Sequence, residues 1–166
     1  VDPNDFSELP TDEAGMILIG GAQVMQGYLN NPDKTSEVIK EIDGARWYVT
    51  GDKGSVDKDG FLTIIDRYSR FAKLGGEMVS LGALEQAVAV HLASDQQIVA
   101  VALSDEKKGE KIVLLYEGEL ASDQVRKAML DAGANPLMIP SSWMAVEQVP
   151  KLGSGKTDFS KAKVLA

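Results

Sequence analysis

Residues 66–85 read DRYSRFAKLGGEMVSLGALE, and this stretch separates two parts of the chain that differ in pattern and in charge. The apolar alternation that precedes it, typical of a strand, stops at Asp66. A second strand-like run at residues 71–74 then meets Gly75 and Gly76, a pair that tolerates positive φ and lets bare backbone approach a ligand. The stretch therefore predicts a hinge between two folded units.

The charge distribution changes at the same place. Residues 1–66 hold thirteen acidic and five basic residues, a net charge of −8, whereas residues 67–166 hold twelve of each. Because nucleic-acid-binding proteins need a basic surface, this balance argues against a nucleic-acid partner. Three cations next to the boundary, Arg67, Arg70 and Lys73, stand out against the acidic first part.

Composition excludes several classes of site. The chain has no cysteine and a single histidine, His91, which argues against disulfides, thiolate chemistry and a zinc site. The acidic run at residues 55–66 approaches the spacing of a calcium loop, but an EF-hand needs helical flanks and these flanks alternate like strands. No metal site is predicted. Without a long apolar run or a signal peptide, we expect a cytoplasmic segment that makes no membrane contact of its own.

The first part predicts a small, strand-rich subdomain. Its expected elements are an irregular lead-in (1–14), a strand (16–19), a helix, and two strands (47–49 and 61–65) joined by a hairpin turn (57–60). Asn31 is suited to cap the helix, with Pro32 in its first turn. We expect this helix to bury Ile39 and Ile42 and to end at Gly44.

The second part predicts a compact lobe with helices packed on a small sheet, so the fold class is α+β. The expected order is strand (71–74), helix (83–93), strand (98–103), charged turn (105–110), strand (111–116), helix (capped by Ser122, ended by Gly133) and strand (143–146). In the first of these helices Leu84 and Val88 share one face, and His91 is expected to pack beside it.

Residues 149–157, VPKLGSGKT, form a glycine-rich segment that presents Lys156. Pro150 stands where a nucleotide-binding P-loop needs glycine, so that motif is excluded. The segment predicts a mobile loop with Lys156 at its tip, able to bring a compact ammonium charge to an anion. An ordinary surface turn is the alternative when this segment is taken alone.

Four stretches, in order, resemble motifs of the acyl-adenylate-forming enzymes, the superfamily of acyl-CoA synthetases, peptide-synthetase adenylation domains and luciferases. They are GMILIGGAQVMQGYLNNPDKT (15–35), WYVTGD (47–52), the hinge stretch (66–85) and PKLGSGK (150–156). The resemblance covers nearly the whole chain. It implies that residues 1–66 are the last, incomplete subdomain of the large AMP-binding lobe and that residues 67–166 are the C-terminal mobile lobe.

Within that superfamily, DRYSRFAKLGGEMVSLGALEQAV (66–88) is most similar to bacterial acyl-acyl-carrier-protein synthetases that are also 2-acylglycerophosphoethanolamine acyltransferases. This implies a ligase that uses ATP and a fatty acid, passes the acyl group to a phosphopantetheine thiol of acyl carrier protein, and transfers it onward to a lysophospholipid at the cytoplasmic face of the inner membrane. Ligands for Mg²⁺ are expected in the N-terminal lobe of the enzyme. An acyl-CoA synthetase and a non-catalytic carrier-docking module are the alternatives.

The resemblance also implies residue roles in adenylate formation. Lys156 matches the catalytic lysine, which would bridge carboxylate and phosphate oxygens in the transition state. Asp52 would accept hydrogen bonds from the ribose hydroxyls, and Arg67 would donate to the same ribose. A non-catalytic module that only docks a carrier protein would not need Asp52, Arg67 and Lys156 together.

For the thiol step, the resemblance implies that the second lobe swings about Ser69 and brings a glycine-rich loop to the phosphopantetheine arm. The thiol-channel residues so implied are Lys73, Gly75, Gly76, Glu77 and Met78. Met78 stands where several acyl-CoA synthetases carry arginine, which favours carrier protein over CoA. Arg70 and Lys73 would then attract an acidic carrier protein.

Overall fold

The computed structural model describes residues 1–105 and 109–166. The fold is α+β, as predicted, and the chain divides into two compact units, Val1–Ser69 and Arg70–Ala166. Each unit has its own sheet, with four strands in the first and five in the second.

The first unit is organised around one long strand. Its elements are β1 (Gly15–Gly20), α1 (Pro32–Val38), β2 (Ile39–Ile42), β3 (Ala45–Val56) and β4 (Leu62–Arg67). Strand β3 pairs antiparallel with each of the other three, with β1 along one edge and with β2 and β4 at the two ends of the other edge. The predicted lead-in, residues 1–14, is formed of turns and irregular backbone.

The predicted start of α1 is confirmed and its predicted end is wrong. The Asn31 side chain accepts a hydrogen bond from the Lys34 amide at 3.1 Å, and Pro32 lies in the first turn. However, the helix ends at Val38 rather than at Gly44.

A hairpin replaces the second half of the predicted helix. Ile39 adopts extended backbone, and β2 then pairs with the start of β3 through Ile42 and Ala45. The turn between them consists of Asp43 and Gly44, with φ of 51° and 75°, which are the left-handed conformations of a two-residue hairpin loop. The Asp-Gly pair beside β-branched residues was the signal for this hairpin in the sequence.

The second unit consists of a mixed sheet with helices on both faces. Its elements are β5 (Phe71–Leu74), β6 (Glu77–Ser80), α2 (Leu81–Ala89), β7 (Ile98–Asp105), β8 (Gly109–Glu117), α3 (Ser122–Asp131), β9 (Ser142–Val146) and α4 (Phe159–Leu165). The strand order is β6-β5-β8-β7, and β9 pairs with β8 in parallel. Residues 106–108, the centre of the predicted charged turn, lie outside the described residues.

Alternating side chains of β7 and β8 divide the core of the second unit into two layers. Ala100, Ile112 and Leu114 pack with Leu84 of α2 and Met129 of α3. The intervening residues pack on the opposite face with α4, in a cluster made of Val99, Val101, Val113, Leu115, Val149 and Ala162. This arrangement of helices on a small sheet is the predicted one, with α4 and β6 as elements that the sequence patterns did not reveal.

Two details of the second unit correct the predictions and a third confirms one. Helix α2 spans Leu81–Ala89, so His91 lies beyond its end and is exposed rather than packed. Ala121, not Ser122, occupies the cap position of α3, and that end has no side-chain cap bond. Gly133 ends the helix as predicted, with φ of 81°.

Arg70 is a charged residue inside the core of the second unit, with 6% of its surface exposed. One guanidinium nitrogen pairs with the carboxylate of Glu85 at 2.5 Å, and another donates to the Ala100 carbonyl at 3.0 Å. The second Glu85 oxygen accepts from the Ala100 amide at 2.7 Å. The ion pair therefore satisfies both backbone groups of Ala100 on the open edge of β7, where a further strand would otherwise bind.

No helix within the described ranges, 1–105 and 109–166, is long and apolar enough to cross a membrane. The same residues contain no group of three or more His, Cys, Asp or Glu side chains arranged to hold a metal ion.

We predict that removing the carboxylate of Glu85 strongly destabilises the second unit. In Glu85→Ala the guanidinium of Arg70 would stay buried without its counter-charge, which typically costs about 3–5 kcal/mol of unfolding free energy. Urea denaturation followed by Trp143 fluorescence in a Trp47→Phe background isolates this unit, because the chain has only these two tryptophans.

The matched control is Asp131→Ala, which removes an exposed carboxylate at the end of α3 in the same unit and should leave the unfolding midpoint nearly unchanged. A midpoint shift in Glu85→Ala no larger than in this control would contradict a stabilising role for the buried ion pair.

Candidate functional site

The segment WYVTGD forms a bulge in the long strand β3. Its pairing with β1 passes from Met16 opposite Lys53 directly to Leu18 opposite Val49, so residues 50–52 all face Ile17. The extra residues interrupt the regular pairing of β3 with β1. Such β-bulges are common next to functional sites.

The Thr50 hydroxyl holds this bulge in place. It donates to the Ile17 carbonyl at 2.8 Å and accepts a hydrogen bond from the Asp52 amide at 3.0 Å. Gly51 between them has φ of 77°, a conformation that glycine adopts without strain. The Thr-Gly-Asp order therefore has a local structural reason, since each of the three residues has a separate part in presenting the Asp52 carboxylate.

The bulge brings Asp52 and Arg67 together, two residues predicted to act on the same group. They are opposite each other in β3 and β4. The Arg67 Nε donates to Asp52 Oδ1 at 2.7 Å, and its Nη2 donates to the Thr50 carbonyl at 3.1 Å. The Asp52 side chain is 27% exposed and that of Arg67 is 60% exposed. An accepting oxygen and a donating nitrogen thus lie side by side at the surface, which suits a pair of neighbouring hydroxyls.

The thiol-channel residues implied by the resemblance lie on one hairpin of the second unit. Gly75 and Gly76, with φ of 58° and 96°, form the two-residue turn between β5 and β6. Lys73 is opposite Met78 across this hairpin, and both are exposed, as is Glu77. A Cβ atom built on either glycine meets nothing within 4 Å in the described structure. The requirement for glycine is therefore one of backbone conformation and not of crowding.

The Lys156 segment is a closed turn whose apex is residues 153–155. The Leu152 amide donates to the Lys156 carbonyl at 2.8 Å, and Lys151 bridges to Thr157. Lys156 is exposed, but the prediction that it occupies the tip is wrong, because these bonds place it on the returning arm. Here its backbone is held while its side chain is free to extend into solvent.

Ser69 lies at the last position of the first unit, in the 3-10 turn Tyr68–Arg70, and is exposed. Tyr68 before it is half-buried, and this burial, with the negative charge of Asp2, raises the pKa of its hydroxyl. Arg70 after it is buried against Glu85. The prediction that Arg70 attracts an acidic carrier protein is therefore wrong, since its charge is neutralised inside the core. Lys73 retains an exposed side chain.

Sequence reasoning missed three residues that support these segments, namely Thr50, Glu85 and Phe159. The Phe159 ring lies 4.1 Å from the Arg70 guanidinium, and Glu85 binds the same guanidinium. Thr50 precedes the predicted site residue Asp52, Glu85 lies within the predicted helix at 83–93, and Phe159 follows Lys156. Their partners are distant along the chain. No local pattern could have revealed these contacts, whereas the threonine of Thr-Gly-Asp was visible in the motif.

The chain has clear relatives in sequence. It is 30% identical over 98% of its length to a nonribosomal peptide synthetase of Aspergillus fumigatus, of which it covers 10%. It is 33% identical over 87% of its length to a long-chain-fatty-acid–CoA ligase of Bacillus subtilis, of which it covers 25%. The chain thus spans a quarter or less of the length of these two curated relatives. No family model matches it.

A solved structure with the same fold is the o-succinylbenzoate CoA synthetase of Bacillus subtilis in complex with its acyl-adenylate intermediate. The match covers 93% of this chain and 31% of that one, with a TM-score of 0.78 and 23% identity. This agreement shows the fold, and the sequence relatives show the family. The chain belongs to the acyl-adenylate-forming enzymes and matches the C-terminal part of members of that family.

Proposed function

We propose that this chain is the C-terminal part of an ATP-dependent acid–thiol ligase that converts a fatty acid to acyl-AMP and passes the acyl group to the phosphopantetheine thiol of acyl carrier protein. Onward transfer to 2-acylglycerophosphoethanolamine, at the cytoplasmic face of the inner membrane, belongs to the same proposal. The observation that carries the adenylate step is the Asp52–Arg67 pair on the Thr-Gly-Asp bulge.

CoA is the second candidate acceptor. It is supported by the likeness to a long-chain-fatty-acid–CoA ligase. The carrier protein is supported by Met78, an uncharged and exposed residue where an arginine would suit a CoA phosphate. Both acceptors carry the same reactive thiol, so the proposed chemistry is common to them.

Asp52 and Arg67 would recognise the ribose of ATP. The ion pair uses Oδ1 of the carboxylate and Nε of the guanidinium, while Nη2 binds the Thr50 carbonyl. Asp52 Oδ2 and Arg67 Nη1 are the atoms that these two bonds do not use. A carboxylate oxygen can accept and a guanidinium nitrogen can donate, so the pair could bind the two ribose hydroxyls at once.

Lys156 would stabilise the transition state of adenylate formation. Joining a carboxylate to the α-phosphate brings two anions together, and a positioned cation lowers the energy of that arrangement. The exposed ammonium group on a turn with hydrogen-bonded arms fits this role. The Mg²⁺ that accompanies ATP is expected to be held by the N-terminal lobe of the enzyme.

The glycine hairpin at Gly75 and Gly76 would serve the thiol step, with Lys73, Glu77 and Met78 beside the phosphopantetheine arm and Ser69 as the pivot. A two-glycine turn presents bare backbone, which a narrow thiol arm can approach closely. The exposure of the turn and of Lys73, Glu77 and Met78 beside it supports a role in binding another molecule.

The first unit supports the proposal that a larger lobe is completed elsewhere. The buried apolar side chains of the described chain all belong to the second unit. In strand β4 of the first unit, Leu62 is 52% exposed and Ile64 is 63% exposed. A sheet is normally stabilised by packing one face against another layer, so this unit fits the last subdomain of a larger structure.

We predict that Lys156→Ala, made in the full-length protein that carries this chain, lowers ATP–pyrophosphate exchange with fatty acids by roughly 100- to 1,000-fold, the usual cost of one lost transition-state contact. Transfer from preformed acyl-adenylate to a thiol should persist, because this step does not need the lysine. Supplying acyl carrier protein and CoA in parallel identifies the acceptor.

Lys151→Ala is the matched control, since it removes an exposed lysine from the opposite arm of the same turn. Its exchange rate should stay near that of the wild type. A wild-type protein without exchange for any acid, or a Lys156→Ala variant with normal exchange, would favour the non-catalytic carrier-docking module.

We predict that Asp52→Asn raises the KM for ATP by roughly 10- to 100-fold, because a hydrogen bond to a charged group contributes about 1.5–3 kcal/mol. The KM is measured by pyrophosphate exchange in the same full-length protein. Asp59→Asn, in the exposed turn between β3 and β4, is the control for loss of one surface carboxylate. An equal rise in both variants would argue against ribose recognition by Asp52.

We predict that the isolated chain of 166 residues catalyses no ATP–pyrophosphate exchange, because the phosphate loop and acyl pocket implied by the resemblance lie upstream of residue 1. The measurement compares this chain with the full-length protein under the same conditions. Appreciable exchange by the isolated chain would show that the adenylation machinery is already complete within it.

A further inference from the structure

We propose that Arg70 is a positioning residue for Lys156, acting through the ring of Phe159. The inference rests on the proposed role of Lys156 in adenylate formation. Arg70 is a buried cation that has no part in the proposed binding of ribose, thiol or carrier protein, and this inference gives it a function.

Arg70 contacts three elements of the second unit at once. Its guanidinium pairs with Glu85 of α2, donates to Ala100 of β7, and lies 4.1 Å from the ring of Phe159 in α4. A cation over an aromatic face is attracted by the ring quadrupole, more strongly when water is excluded. The first residue of the second unit is therefore tied to its last helix.

Phe159 follows the Lys156 turn after only two intervening residues, and both of these are anchored. Thr157 bridges to Lys151, and the Asp158 amide donates to the Pro150 carbonyl at 2.8 Å. The Asp158 side chain then caps α4 by accepting from the Lys161 amide at 3.0 Å. Because only two residues separate them, a displacement of Phe159 would strain the bonds of Thr157 and Asp158 and so pull on the arm that carries Lys156.

The rest of α4 does not by itself determine the position of this arm. Ala162 is fully buried on the sheet, whereas Phe159 at the first turn is 43% exposed and Val164 near the end is 85% exposed. The contact with Arg70 is the one that orients the half-exposed ring of Phe159, beside the backbone bonds that Asp158 makes in the first turn. The guanidinium of Arg70 is itself held by the Glu85 carboxylate and the Ala100 carbonyl, so its position is fixed.

The test uses Phe159, because Arg70 variants carry the risk of unfolding. In the full-length protein, Phe159→Leu keeps an apolar side chain but removes the aromatic face. We expect its maximal rate of pyrophosphate exchange to fall by roughly 10- to 100-fold, since a misplacement of about 1 Å can cost about 100-fold. The KM for ATP and the transfer from preformed acyl-adenylate to thiol should remain unchanged.

Phe159→Tyr restores the ring and should restore the rate, whereas Val164→Ala controls for a change in an exposed apolar residue of the same helix. The inference would be overturned if Phe159→Leu slows the thiol step as much as the exchange, or if Phe159→Tyr does not restore the rate. Either result would show that the contact has only a structural role. Normal exchange in Phe159→Leu would overturn it as well.

The same assays separate this inference from the proposed function. If Lys156→Ala has normal exchange, the proposed role of the lysine fails, and the inference fails with it. If Lys156→Ala loses exchange while Phe159→Leu does not, only the positioning role of Arg70 is refuted.

Discussion

The buried ion pair between Arg70 and Glu85 is the constraint on which the second unit depends. It occupies the open edge of β7, where the two side chains bind the amide and the carbonyl of Ala100 in place of a neighbouring strand. A charge pair taken out of water is costly unless its hydrogen bonds are complete, and here both partners also bind backbone. The Arg70 guanidinium also connects β7 with α2 and α4, the helices that pack on opposite faces of the sheet.

The candidate functional segments are short departures from regular strands and helices. A bulge in β3 presents Asp52 beside Arg67, a two-glycine turn presents the β5–β6 hairpin, and a closed turn before α4 presents Lys156. In each case the flanking elements are paired or packed, so the departure has a defined shape. Catalysis requires reacting groups in defined positions, because a group on a rigid support loses little entropy on reaction.

Much of the fold could be predicted from local patterns, because strand alternation, turn residues and helix caps are properties of neighbouring residues. The strands at 47–49, 71–74 and 98–103 follow from such patterns, and so does the turn at 57–60. The errors in the predicted elements arose where one sequence pattern was compatible with two local structures. Gly44 can end a helix or complete a hairpin turn, and the available edge of β3 decided for the hairpin. The pattern of charges near the hinge could not show that Arg70 is buried, because its partner Glu85 lies in another element.

The sequence by itself determined the order of the motifs, and with it the family, because four stretches in the right order and spacing carry that resemblance without any coordinates. It also supplied the residues of the Thr-Gly-Asp bulge, although the bulge itself forms against Ile17 of β1. Only the tertiary structure decided which charges are exposed and which are buried. It placed Arg67 beside Asp52 at the surface and Arg70 beside Glu85 in the core, although both arginines lie in the same short stretch. The physical reason is that burial and pairing depend on residues brought together from distant elements, and no local pattern records them.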